Sequence, residues 1–98
     1  MATTLEMPRV QTCTATLCAY NTSETCHAFA ILVGDHGHAH CDTFFDGGAK
    51  GGIADVIAQV GACQKADCVH NVGLECQASA IAVGAHDDGS DCLTYEPR

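Results

Sequence analysis

One cysteine spacing occurs twice in the chain and accounts for all eight of its cysteines. The first set reads C-x4-C-x7-C-x14-C and the second reads C-x4-C-x7-C-x15-C. Residues 10–34 align without a gap with residues 60–84, and ten of these positions are identical. The chain is therefore predicted to contain a duplicated four-cysteine unit, whose members are Cys13, Cys18, Cys26 and Cys41 in the first copy and Cys63, Cys68, Cys76 and Cys92 in the second.

Each copy takes up only about half of the 98 residues. A unit that short buries too little apolar surface to be stable without disulfides or a metal. We therefore predict a small, cysteine-stapled, mainly β protein with irregular loops, made of two tandem minidomains. The predicted divisions are an N-terminal lead over 1–9, a first module over 10–45, a glycine linker with a short helix over 46–59, and a second module over 60–98.

Each module is predicted to contain a short antiparallel hairpin. In the first module an apolar strand over 26–33 ends at Gly34, a polar loop follows, and a second strand runs over 41–45. Alternation places Ile31 and Val33 on one face of that strand. Asn21 is predicted to sit in a turn with a positive φ. The equivalent positions in the second copy are Ile81, Val83 and Asn71.

A short helix is predicted between the modules. Ile53, Val56, Ile57 and Val60 recur at i, i+3, i+4 and i+7, which is the period of an amphipathic helix. A helix of about two turns is marginal alone, so this one is expected to pack against a module.

The cysteines admit two interpretations. Four thiolates can hold one Zn²⁺ tetrahedrally in each module, or each module can form two disulfides in any of three pairings. Even grouping by four, and an N-terminus without the basic start and apolar run of a secretory signal, favour metal in a reducing cytoplasm. Four thiolates also suit an iron–sulfur cluster, but the spacing fits neither common ferredoxin pattern.

A histidine-rich loop precedes the fourth cysteine of the first copy. His36, His38 and His40 alternate, so an extended chain would place them on one side, as an accessory metal site or simply as a solvated loop. The second copy replaces this loop with an acidic one, which favours the solvated interpretation.

Charge and motif content argue against several functions. The formal charge is −8, and the four basic residues are scattered singly. Nucleic-acid and anionic-membrane binding need clustered Lys and Arg, so both are predicted to be absent. Every cysteine belongs to a four-membered set, so no single activated nucleophile stands out and no enzymatic activity is predicted.

The spacing and the residues between the cysteines together resemble the domain-of-unknown-function 1540 family. The shared pattern is C-x4-C-x-x-N…C-x-A-x-x-I-x-V…C-x-T-[FY], which ends in Thr43 and Phe44 in the first copy and in Thr94 and Tyr95 in the second. The resemblance implies a small bacterial protein for which no activity is established and for which metal binding is supposed.

We therefore predict a non-enzymatic protein with one Zn²⁺ in each four-cysteine set, acting as a binding or assembly module for a protein partner or for itself. The alternative is a structural component of a coat, capsid or other assembly, hardened by four disulfides and associated with a particle or surface.

Overall fold

The computed structural model describes residues 7–47, 49–86 and 89–98. Most of the predicted N-terminal lead therefore lies outside the described residues. The described residues form ten strands. They are β1 Arg9–Cys13, β2 Asn21–Thr22, β3 Thr25–Cys26, β4 Ala30–Asp35, β5 Ala39–Cys41, β6 Gln59–Cys63, β7 Asn71–Val72, β8 Glu75–Cys76, β9 Ala80–His86 and β10 Gly89–Cys92.

Six of these strands close a barrel in the order β1-β6-β4-β5-β10-β9. Each repeat contains an antiparallel hairpin as predicted, since β4 pairs with β5 and β9 with β10. The strand predicted over 41–45 is wrong, because β5 is Ala39–Cys41 and the chain turns after it. The first hairpin turns within the predicted polar loop, over residues 36–38. The prediction of a mainly β, cysteine-rich protein with two repeated segments is also confirmed.

The two repeats exchange strands within this barrel. β1 of the first repeat runs parallel to β9 of the second, with Val10 opposite Ile81. β6 of the second repeat runs parallel to β4 of the first, with Ile31 opposite Val60. The modules over 10–45 and 60–98 therefore supply the halves of one shared barrel, where the sequence predicted two separate minidomains.

A small hairpin outside the barrel follows the second cysteine of each repeat, β2–β3 in the first and β7–β8 in the second. The connecting pairs have positive φ, at 55° and 62° for Ser23 and Glu24 and at 62° and 66° for Gly73 and Leu74. Two such residues in a two-residue connection are typical of a type I′ turn. The positive φ predicted for Asn21 is wrong, because this residue is the extended first position of β2.

The predicted helix over 53–60 is wrong. The described residues contain no helix, and the last two positions of this segment already belong to β6. Its amides bond to distant carbonyls: Ile53 to His27 at 2.9 Å and Ala58 to Cys26 at 3.0 Å. Ile53 and Ile57 are about half exposed. β-Branched residues are weak helix formers, so eight residues that begin beside two glycines gain more from bonding to the first repeat.

The barrel interior is filled by aliphatic side chains from both repeats. Ile31 and Val33 are buried, as are Ile81 and Val83, as their alternation predicted. Val10 and Val60 complete the layer. Within the described parts of the chain, no helix has the length and apolar character needed to cross a membrane.

Candidate metal centres

The first four-cysteine set comes together around one small cavity. Cys13 ends β1, Cys26 ends β3, Cys41 ends β5, and Cys18 lies in the turn before β2. All four are buried. They line a cavity of about 10 Å³, which is close to the space of one water-sized sphere. The four cysteines of the first repeat therefore line one cavity, even though they come from four separate elements.

The second set repeats this arrangement at the equivalent place. Cys63 ends β6, Cys76 ends β8, Cys92 ends β10, and Cys68 lies in the turn before β7. Their cavity measures about 20 Å³. Either cavity has room for a single ion and not for an organic ligand.

The thiols within each set influence one another electrostatically. The pKa of Cys26 is raised to about 11, first by burial and then by the charges of Cys13, Cys41 and Cys18, against a hydrogen bond with the Ala28 backbone that lowers it. At neutral pH the isolated thiol is therefore protonated. A metal ion would have to displace that proton to bind, because the thiolate is the ligand.

Cys92 behaves in the same way. Its pKa is raised to about 11, chiefly by burial and further by Cys76 and Cys63, while backbone hydrogen bonds with Thr94 and Tyr95 oppose the shift. Both sets therefore stabilise neutral thiols unless a cation supplies the opposing charge.

All eight cysteines are free thiols in the structure. Two sulfurs bound to one zinc at about 2.3 Å lie at most about 4.6 Å apart. Among the described residues, two groups of three metal-capable side chains have ligand atoms within 4.8 Å of one another, and neither contains a cysteine. The donor set, the burial and the cavity size fit a zinc ion. The sulfurs stand farther apart than in a closed site and would have to draw inward around it.

One asparagine in each repeat ties the cysteine-bearing segments together. The buried Asn21 donates from Nδ2 to the Cys13 carbonyl at 2.7 Å and accepts at Oδ1 from the Glu24 amide at 3.1 Å. Its own amide bonds to the Cys18 carbonyl at 3.0 Å. Asn71 makes the equivalent three bonds in the second repeat. Sequence reasoning recognised this position as duplicated but missed its role as a brace.

A duplicated threonine braces the segment after the fourth cysteine. The Thr43 hydroxyl accepts from the Leu32 amide at 3.1 Å, and Thr94 accepts from the Ala82 amide at 2.9 Å. These bonds hold the chain that leaves each cysteine set against the middle of the adjacent long strand.

The two cavities differ in the polar groups around them. The buried Ser90 of the second repeat lines the first cavity. Burial raises the pKa of Cys41, while hydrogen bonds with the Thr43 backbone and the Ser90 side chain oppose the shift. The second cavity is lined instead by Lys65, whose ammonium lies 3.3 Å from both Asp35 and Asp67. No sequence pattern predicts the contact of Ser90 with Cys41 or of Lys65 with Asp35, since each depends on how the repeats pack.

The histidine loop brings its rings together through a turn at Gly37, where φ is +85°, and not along an extended strand. The ring centroids of His36 and His40 are 5.4 Å apart, and those of His38 and His40 are 5.5 Å apart. These rings do not join the cysteine cavities. They contact two aspartates instead, and His36 remains exposed to solvent.

Asp42 is the partner of two of these histidines. Its Oδ1 lies 2.8 Å from His36 Nε2 and 2.9 Å from His40 Nδ1. Burial raises the pKa of this carboxyl, but the hydrogen bonds from His40 and His36 outweigh it and hold the pKa below its ordinary value. Asp42 therefore stays an anion beside the loop.

Comparison with known proteins agrees with this duplicated arrangement. No curated protein and no solved structure matches the chain. The family described as Domain of Unknown Function (DUF1540) matches residues 12–44 and 62–95. These segments cover more than half of the chain and contain both cysteine sets together with the bracing asparagines and threonines. The chain therefore belongs to the DUF1540 family and carries two tandem copies of its domain.

Proposed function

We propose that this protein is a non-enzymatic metal-binding module that holds one Zn²⁺ in each four-cysteine set. The observation that carries the proposal is that each set of four free thiols lines its own cavity of a single ion's size. Four thiolates are a common ligand set of structural zinc sites. When bound, zinc would supply a fixed tetrahedral cross-link and the positive charge that the buried thiols need.

The same geometry argues for a structural role. A closed site with four protein ligands leaves no position for a substrate, in contrast to catalytic zinc. The sets join the ends of barrel strands to the small hairpins, so metal binding would stabilise the barrel rather than perform chemistry. The surface that remains, with exposed apolar side chains such as Leu17, Phe29 and Leu93, would serve binding to a protein partner or assembly.

Metal counting on single-set variants tests this proposal. Protein purified under reducing conditions, without added zinc, is expected to carry two zinc ions per chain by native mass spectrometry. Cys26→Ser and Cys76→Ser are each expected to lose one ion, and the double variant both. Leu17→Ala, an exposed position beside Cys18, serves as the matched control and should retain two. Less than one metal per chain in the unaltered protein, with no thiol available to alkylation, would contradict the proposal.

The second candidate is a disulfide-hardened component of an assembly. It is favoured by a C-x7-C spacing wider than that of common zinc motifs. Intact mass before and after reduction separates the two. A gain of one hydrogen per cysteine indicates disulfides, whereas an unchanged mass with metal present in the native state indicates zinc.

A further inference from the structure

A second kind of candidate site lies where the two repeats meet, at the seam between β5 and β10. These strands pair in antiparallel fashion through His40 and Asp91. Two groups of metal-capable side chains converge on this seam, each with ligand atoms within 4.8 Å of one another. One consists of His36, His40 and Asp42, and the other of His38, His86 and Asp91.

The second group draws its ligands from both repeats. His38 comes from the loop of the first hairpin, whereas His86 ends β9 and Asp91 lies on β10. His38 Nδ1 lies 2.7 Å from Asp91 Oδ1 and 2.8 Å from Oδ2. His86 Nδ1 lies 3.8 Å from Oδ2 of the same carboxylate. Two imidazoles, with centroids 4.8 Å apart, therefore face one anion.

Burial distinguishes this group from its neighbour. The Asp91 side chain is only 14% exposed, whereas the Asp42 side chain of the other group is 27% exposed. A partly buried carboxylate that is fixed in place loses less side-chain entropy on binding an ion than an exposed one does. The group with Asp91 is thus the better organised of the two.

The seam is also shaped to hold the histidines in place. A Cβ at Gly89 would lie 2.6 Å from His40 Nε2, so a larger residue there would push the ring away. His40 in turn makes an edge contact with His38 at 5.5 Å. Glycine at this position of β10 therefore leaves space for the row of imidazoles.

We infer that His38, His86 and Asp91 form a binding site for one divalent transition-metal ion, separate from the cysteine sets. Imidazole ligands suit Zn²⁺, Cu²⁺ and Ni²⁺, and zinc also accepts a carboxylate oxygen. Ligand atoms lie about 2.0–2.2 Å from such an ion, so the present separations admit one after small side-chain rotations. When an ion binds at Nδ1 of His38, the ring proton is carried on Nε2.

The site would be exchangeable. Three protein ligands leave at least one coordination position open, and His38 and His86 are 37% and 47% exposed. Because its ligands come from both repeats, the ion would bridge them across the seam. It would bind only to the closed barrel, and not to either repeat alone.

Cobalt titration of the full chain tests this inference with two readouts. Equilibrium dialysis counts all bound Co²⁺, while thiolate-to-cobalt charge-transfer absorption reports the cysteine sets alone. His38→Gln and Asp91→Asn are each expected to lose one cobalt per chain with no change in the charge-transfer absorption. His27→Gln removes a histidine that bonds to the Val56 carbonyl away from the seam, and it should bind as much cobalt as the unaltered protein.

Equal cobalt binding by the seam variants and the unaltered protein would overturn the inference. So would loss of charge-transfer absorption in step with the lost cobalt, because that would show a general loosening of the fold. His86→Gln, at a more exposed ring, repeats the test with less risk to folding. If thiolate absorption is absent in every sample while the seam variants still lose one cobalt, the seam site stands and the cysteine proposal fails.

Discussion

Replacement of Asn21 by alanine tests whether this side chain is the brace of the first cysteine set. Its amide group is buried and joins the Cys13 carbonyl to the Glu24 amide. Alanine would leave both groups without their partner. A buried polar group without its hydrogen bond costs about 1–3 kcal/mol. Most of that cost should come from the Cys13 carbonyl, because the Glu24 amide lies in an exposed turn and can form a hydrogen bond with water.

We therefore expect Asn21→Ala to lower the free energy of unfolding by about 1–3 kcal/mol. Asn71→Ala should cost about the same, since its bonds to Cys63 and Leu74 are equivalent. Urea denaturation of both variants at one fixed zinc concentration measures this, because a ligand of the native state shifts apparent stability. Thr22→Ala, at an exposed neighbouring position, is the control and should change stability by less than about 0.5 kcal/mol.

Asn21→Asp separates the two bonds. Aspartate keeps the acceptor for the Glu24 amide but loses the donor to the Cys13 carbonyl and brings a negative charge beside it. It should therefore be at least as destabilising as alanine. A cost for Asn21→Ala no larger than that for Thr22→Ala, or full tolerance of Asn21→Asp, would refute the brace.

Three further results follow from the fold. The folded-state pKa of Cys26 and of Cys92 is about 11, against an ordinary 9.0, so the folded state binds more protons than the unfolded state between these values. The free energy of unfolding of the metal-free reduced protein should therefore be constant below pH 9 and fall as pH rises towards 11. A urea midpoint that does not change between pH 9 and pH 11 would contradict this expectation. Gly52→Ala should lower the free energy of unfolding by about 1–3 kcal/mol, because φ at this residue is +92° and a Cβ would lie 2.8 Å from the His27 carbonyl oxygen. A Cβ at Gly51 would meet no atom within 4 Å, so Gly51→Ala should be tolerated. Ile81→Ala should lower the free energy of unfolding by about 2–5 kcal/mol, measured by urea denaturation, because Ile81 is buried in the barrel core. A loss no larger than that of Val72→Ala, at an exposed residue, would contradict the burial of Ile81.

The local parts of the fold were predictable because their signals are local. Alternation of Ile31 and Val33 identified the buried face of β4, and the polar loop after Gly34 identified its hairpin. The prediction of a helix over 53–60 was wrong for a related reason. Four apolar positions fit a helical period, but over eight residues a period does not reveal whether those side chains will be buried. Here Ile53 and Ile57 are not.

Strand partners were not predictable, because an apolar strand can add to any compatible edge. Nothing in the sequence near Val10 indicates that it lies beside Ile81 instead of Ile31. The seam site was missed for the same reason. His38 was noticed within its loop, but Asp91 becomes its neighbour only after β5 pairs with β10.

Strand exchange also changes what the cysteine sets stabilise. Cys13 lies opposite Val83, on the long strand of the other repeat, and Cys63 lies opposite Val33. The four cysteines of each set come from one repeat, yet the first cysteine of each set lies on a strand that pairs with the other repeat. An ion bound to the first set would therefore also order β9 through its pairing with β1. An ion bound to the second set would order β4 through its pairing with β6. If both sets bind zinc as proposed, ordering of the barrel by the first ion would lower the ordering cost for the second. A single repeat would leave both β1 and β4 without their parallel partners, which explains why the duplicated unit here folds as one barrel.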